Sequence, residues 1–123
     1  MNEKLTRSME DYLEVLYLMQ KRNSVVRVTD IANFLSFSKA SVNRAINVLK
    51  EKDMVIQEKY GKVFLTEKGI IQAKSIYDKH KILRDFFENV LQVSEKTAQI
   101  DACKAEHVLS CETIESMKKF LNK

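Results

Sequence analysis

"VRVTDIANFLSFSKASVNRAINVLKEKDMVIQEKYGKVFLTEKG", residues 26–69, changes its hydrophobic period partway along. Its first half has helical spacing. Thr29 is placed to cap a short helix from Asp30 to Leu35. Three or so linking residues lead to Ser38, a second cap, and to a longer helix ending near Lys52. Val42, Ala45, Ile46 and Leu49 form the apolar stripe of that helix. A short helix, a tight turn and a longer helix make a helix-turn-helix. Val55 and Ile56 then stand before "KYGK", and Val63, Phe64 and Leu65 after it. β-formers on both sides of a glycine-containing turn predict a hairpin. A hairpin straight after the longer helix makes the unit a winged helix-turn-helix.

The helical period extends in both directions from this stretch. Upstream, "SMEDYLEVLYLMQKR" (8–22) carries Tyr12, Leu13, Val15, Leu16, Leu18 and Met19 on a wide apolar face, with Ser8 as the candidate cap. Downstream, a helix is expected from Thr66 to about Val90. "QVSEK" interrupts it. Ser94 caps a helix from Glu95 to Leu109, and Ser110 caps a last one to Leu121. The expected fold is mainly α: a winged helix-turn-helix over residues 1–65, then an all-helical domain over 66–123.

Composition narrows the classes. The chain has 123 residues, 31% of them charged and 45% hydrophobic, which is a soluble globular balance. There is no proline, and the two glycines are Gly61 and Gly69, so long loops are not expected. No apolar run approaches the roughly 20 residues of a membrane span. The polar, acidic N-terminus does not read as a signal peptide, and a cytoplasmic location is expected. Two cysteines, Cys103 and Cys111, do not make a disulfide framework, and in a reducing compartment both are thiols. No Gly-rich loop or second constellation offers a substrate pocket, so an enzyme is not expected.

A recognition helix needs small or polar residues where it meets the groove. Here that end reads "SKASVNRA". Ser38, Ser41, Asn43 and Arg44 can hydrogen-bond, Lys39 can meet a phosphate, and Ala40 permits close approach. The wing offers Lys59, Tyr60 and Lys62 to the DNA backbone. Ser38 to Lys62 holds six basic and three acidic residues, a net +3 of the chain's +4. One weakly basic unit neutralises few phosphates, so a homodimer on a palindromic operator is expected. A winged helix used only for protein contact is the competing reading.

"DACKAEHVLS" (101–110) places Cys103, Glu106 and His107 at i, i+3 and i+4, one face of a helix. Asp11 and Glu14 are likewise one turn apart, and His80 is the only other histidine. Singly, each has an ordinary explanation: a small core thiol, a surface carboxylate, a packed imidazole. The combination is more specific, but spacing alone leaves the question open.

"EDYLEVLYLM", "VRVTDIANFL", "SKASVNRAINVLKEKDMV", "VFLTEKG", "KHKILRDFF" and "DACKAEHVLSCET", in this order, together resemble the diphtheria toxin repressor family of metal-dependent transcriptional repressors. The resemblance runs from about Leu5 to Leu121. In length the chain is similar to the short manganese branch, which lacks an SH3-like domain. The resemblance implies that Asp11 and Glu14 are ligands on the first helix, as in that branch. It implies the same for His80, Glu106 and His107, which match both branches. Cys103 stands where the manganese branch has glutamate and agrees with the iron branch. Arg84 and Gln99 stand where the iron branch has two ligands of an ancillary site, so that version of a second site is lost. The site implied is therefore centred on Asp11, Cys103, Glu106 and His107. Glu14 and His80 either complete it or hold a weaker second ion.

A thiolate favours Fe(II) over Mn(II), whereas Asp11 pulls toward Mn(II); Fe(II) is expected first and Mn(II) next. The expected function is metal-activated repression controlling metal homeostasis. A winged-helix regulator that senses an organic ligand or oxidant through Cys103 or Cys111 is the alternative.

Overall fold

A computed structural model describes residues 5–22 and 25–123. It runs α1 (Arg7–Arg22), β1 (Val26–Arg27), α2 (Val28–Leu35), α3 (Lys39–Glu51), β2 (Val55–Gln57), β3 (Lys62–Leu65), α4 (Glu67–Asn89), α5 (Glu95–Ala105) and α6 (Cys111–Leu121). The chain divides into two compact units, one ending at Lys74 and the other spanning Ser75–Lys123.

Side-chain caps set most of the helix starts. Ser38, Ser94 and Ser110 each accept the N–H three residues on, from Ser41, Thr97 and Thr113, at 3.1–3.2 Å. Two caps differ from expectation. The first helix is capped by Thr6, not Ser8, because Thr6 Oγ1 accepts the Met9 N–H at 3.2 Å. Thr29 does not cap α2. The helix starts at Val28, and Asp30 reaches back to accept the Arg27 N–H at 2.9 Å. Arg27 is thus the N-cap residue, and the Asp30 carboxylate, three residues into the helix, binds its N–H in a capping-box arrangement.

The reason α2 starts early is a strand the periodicity did not show. Val26–Arg27 pairs antiparallel with β3, Val26 opposite Val63 and Arg27 opposite Lys62. The hairpin forms as expected, with Val55 opposite Leu65 and Gln57 opposite Val63, and the sheet order is β1-β3-β2. Two paired residues are too few to alternate visibly.

Among the described residues, the first unit's core gathers side chains from every element of the helix-turn-helix. Leu13 and Leu16 of α1, Ile31 of α2, Val42, Ile46 and Leu49 of α3, and Met54 and Val63 are all under 2% exposed. Gly69 lets α4 begin close beneath this core: a Cβ there would collide with the Met54 carbonyl. That same carbonyl accepts the Thr66 N–H at 3.0 Å, so it cannot easily move aside. The second unit's core is smaller, built on Leu83, Ala102 and Ile114, with Ile82, Phe87, Leu109 and Met117 packed around them.

Candidate metal centre and nucleic-acid interface

The second unit buries two ionisable side chains beside its small apolar core. His80, on α4, is 5% exposed and Glu106, just past α5, is 4% exposed. Helix α5 ends at Ala105 rather than Leu109. Glu106 nevertheless keeps right-handed φ/ψ (−58°, −25°), and its N–H still reaches the Ala102 carbonyl. The i, i+3 relation to Cys103 therefore survives the end of the helix.

His80, Cys103 and Glu106 come together, one ligand atom from each lying within 4.8 Å of the others. His80 Nδ1 is 3.4 Å from Glu106 Oε1 and 3.8 Å from Cys103 Sγ. His107 also lies near that carboxylate oxygen, its Nε2 4.0 Å from Glu106 Oε1 and its side chain 3% exposed. Cys103 is expected to share its site with Asp11, Glu106 and His107, with His80 completing it or holding a second ion; the residues that come closest to Cys103 and Glu106 include His80. Arg84 is paired with Asp85 at 3.5 Å. Asp11 and Glu14 are half-buried on α1, one turn apart.

The trio fits a divalent transition ion on its own features. Glu106 Oε2 is buried and has no hydrogen-bond partner among the described residues. A buried carboxylate oxygen left this way is costly unless a cation completes it. One imidazole nitrogen, one sulfur and one carboxylate oxygen are donors for a borderline or soft ion, not for Mg(II) or Ca(II).

Gln99, which stands where the resemblance implies a lost ligand, is a close neighbour of the trio. Its Oε1 lies 3.0 Å from His80 Nε2, and its Nε2 lies 3.9 Å from Cys103 Sγ. The signal was available: Gln99, Cys103 and Glu106 follow one another at i, i+4 and i+7, a single helical stripe.

In the first unit, Ser38, Lys39, Ala40, Asn43 and Arg44 are exposed at the start of α3, and Ser41 is half-buried. The hydroxyls of Ser38 and Ser41 also bond each other at 3.0 Å. Tyr60 stands at the tip of the wing, 87% exposed, with a left-handed φ of 65°; Lys59 is exposed and Lys62 half-buried beside it. The Tyr12 ring of α1 packs on Phe37, just before the α3 cap, with centroids 6.1 Å apart. Burial raises the Tyr12 hydroxyl above its usual range, and the Arg44 guanidinium partly offsets this. No helix among the described residues is long and apolar enough to cross a membrane.

Residues 4–63 match the model of the iron dependent repressor, N-terminal DNA binding domain, and residues 66–123 match the iron dependent repressor, metal binding and dimerisation domain. An uncharacterized HTH-type transcriptional regulator of Methanocaldococcus jannaschii is 41% identical over 97% of this chain and 96% of its own length. The HTH-type transcriptional regulator MntR of Bacillus velezensis is 34% identical over 89% of this chain and 77% of its own. Among solved structures, that of the manganese regulator SloR superposes over 96% of this chain with a TM-score of 0.82 and 32% identity. The chain spans 55% of that protein's length. These matches cover both units, so the chain belongs to the iron-dependent repressor family of metal-dependent, DNA-binding transcriptional regulators, which are not enzymes.

Proposed function

We propose that this protein is a cytoplasmic repressor of metal-homeostasis genes that responds to Fe(II) first and Mn(II) next. The observation that carries this reading is the trio His80, Cys103 and Glu106, in which His80 and Glu106 are buried and the thiol is more open. Its sulfur donor favours iron over manganese, while the relatives in hand include a manganese regulator.

Asp11 and Glu14 are assigned as the α1 ligands because they match the family's first-helix ligands, and His107 because it flanks Glu106. A bound divalent ion supplies two positive charges to a ligand set rich in carboxylates. Glu106, Asp11 and Glu14 bear like charge and resist being brought together without it. With the charge balanced, that repulsion would be relieved, and metal binding would be coupled to DNA binding. Two recognition helices of a homodimer are then held at the spacing of successive major grooves on a palindromic operator. Ser38, Lys39, Ala40, Ser41, Asn43 and Arg44 face the groove, and Lys59, Tyr60 and Lys62 meet the backbone.

The test is DNA binding by the full chain to a duplex selected from a random pool, titrated anaerobically with Fe(II) and separately with Mn(II). A lower midpoint for Fe(II) is expected; a lower midpoint for Mn(II) overturns the iron assignment. A second reading, an oxidant sensor, is favoured by the exposure of Cys103 and Cys111. It requires that peroxide change DNA binding while chelators leave it unaltered.

A further inference from the structure

The imidazole of His80 has two nitrogens, and the structure gives them different neighbours. Nδ1 faces the sulfur of Cys103 and the carboxylate of Glu106. Nε2 faces the side-chain carbonyl of Gln99 at 3.0 Å. A carbonyl oxygen can only accept, so Nε2 is the donor in this contact, and Nδ1 is the nitrogen turned toward Cys103 and Glu106. The amide of Gln99 is oriented consistently, because with Oε1 on the histidine its NH2 group points to the Cys103 sulfur.

We propose that Gln99 is a positioning residue of the metal centre, fixing His80 so that Nδ1 is its ligand nitrogen and steadying the Cys103 sulfur with the other end of the same amide. The proposal rests on the reading of His80, Cys103 and Glu106 as metal ligands. An outer hydrogen bond of this type fixes the tautomer and ring orientation of a ligating histidine, and its loss commonly lowers metal affinity 10- to 100-fold. It also closes Nε2 to any second ion. A position that could have carried a ligand has become one that orients a ligand.

Two arms test this on the full chain. In metal-free protein with 15N-labelled histidine, the His80 proton is expected on Nε2 and slow to exchange with solvent. In Gln99→Leu that exchange becomes fast. A proton on Nδ1, or equal exchange in the variant, overturns the role of Gln99 whatever metals do. In the second arm, Co(II) is the probe. Gln99→Leu is expected to bind it about 10- to 100-fold more weakly, and Gln99→Glu, which keeps an acceptor for His80, to recover most of that loss. Unchanged Co(II) affinity in Gln99→Leu overturns the proposal. Unchanged Co(II) affinity in His80→Ala and Cys103→Ala overturns the ligand assignment itself, and the two failures are thereby told apart.

Discussion

The two units keep opposite kinds of interior. Among the described residues, the first is closed by an apolar cluster that runs from Tyr12 to Ala73. The second has a smaller apolar cluster, Leu83, Ala102 and Ile114, and also buries His80 and Glu106, with one carboxylate oxygen unpartnered among the described residues. The lesson is a division of labour. The unit that matches the DNA-binding domain has an apolar interior. On the proposed reading, an ion would complete the second unit, and its binding would stabilise that unit directly.

The largest effect should come from the apolar interior. Leu13 is fully buried, and Leu13→Ala should destabilise the first unit by about 2–5 kcal/mol. Chemical denaturation, with and without saturating metal, checks whether that loss persists when metal is present; it should. Saturating metal should in turn stabilise the second unit, by about 2.7 kcal/mol at a hundredfold excess over Kd. Cys103→Ala should remove most of that gain and leave metal-free stability nearly unchanged, which differential scanning calorimetry can resolve. If metal stabilised the variant as much as the parent, the contrast between the two interiors would fail.

Gly69→Ala should follow, since its Cβ meets the Met54 carbonyl; overpacking of this kind costs about 1–3 kcal/mol. Thermal melts should show the loss, and a neutral result would mean the start of α4 shifts freely. The smallest effect concerns the Tyr12–Phe37 pair, which joins α1 to the turn before α3. Phe37→Ala should lower stability by about 0.5–1.5 kcal/mol beyond lost burial. Its metal affinity, read by Co(II) absorption, should stay within about twofold of the parent.

Much of the fold was legible because its signals were long or chemically distinctive. The serines before α3, α5 and α6 act as the caps their positions announced. The hairpin followed from β-formers around "KYGK". What stayed hidden was short or non-local. β1 is two residues long and exists because β3 has an open edge. Thr29 lies inside α2 and does not cap it, because the helix begins at Val28, directly after that strand. At the site, Cys103 and Glu106 were legible as one helical face. The choice of His80 as their close partner was not, since it depends on how α4 lies against α5, a packing fact with no sequence period. Gln99 was noticed only as a departure, although its spacing to Cys103 already placed the two on one stripe.

The central claim is that the buried ligands of the second unit govern DNA binding by the first. It is tested most directly by anaerobic DNA-binding titrations with Fe(II) on the parent chain and on Glu106→Ala. The parent's affinity should rise about 5- to 150-fold with metal, a coupling of about 1–3 kcal/mol, and the variant's should stay flat. An equal rise in the variant would contradict the account.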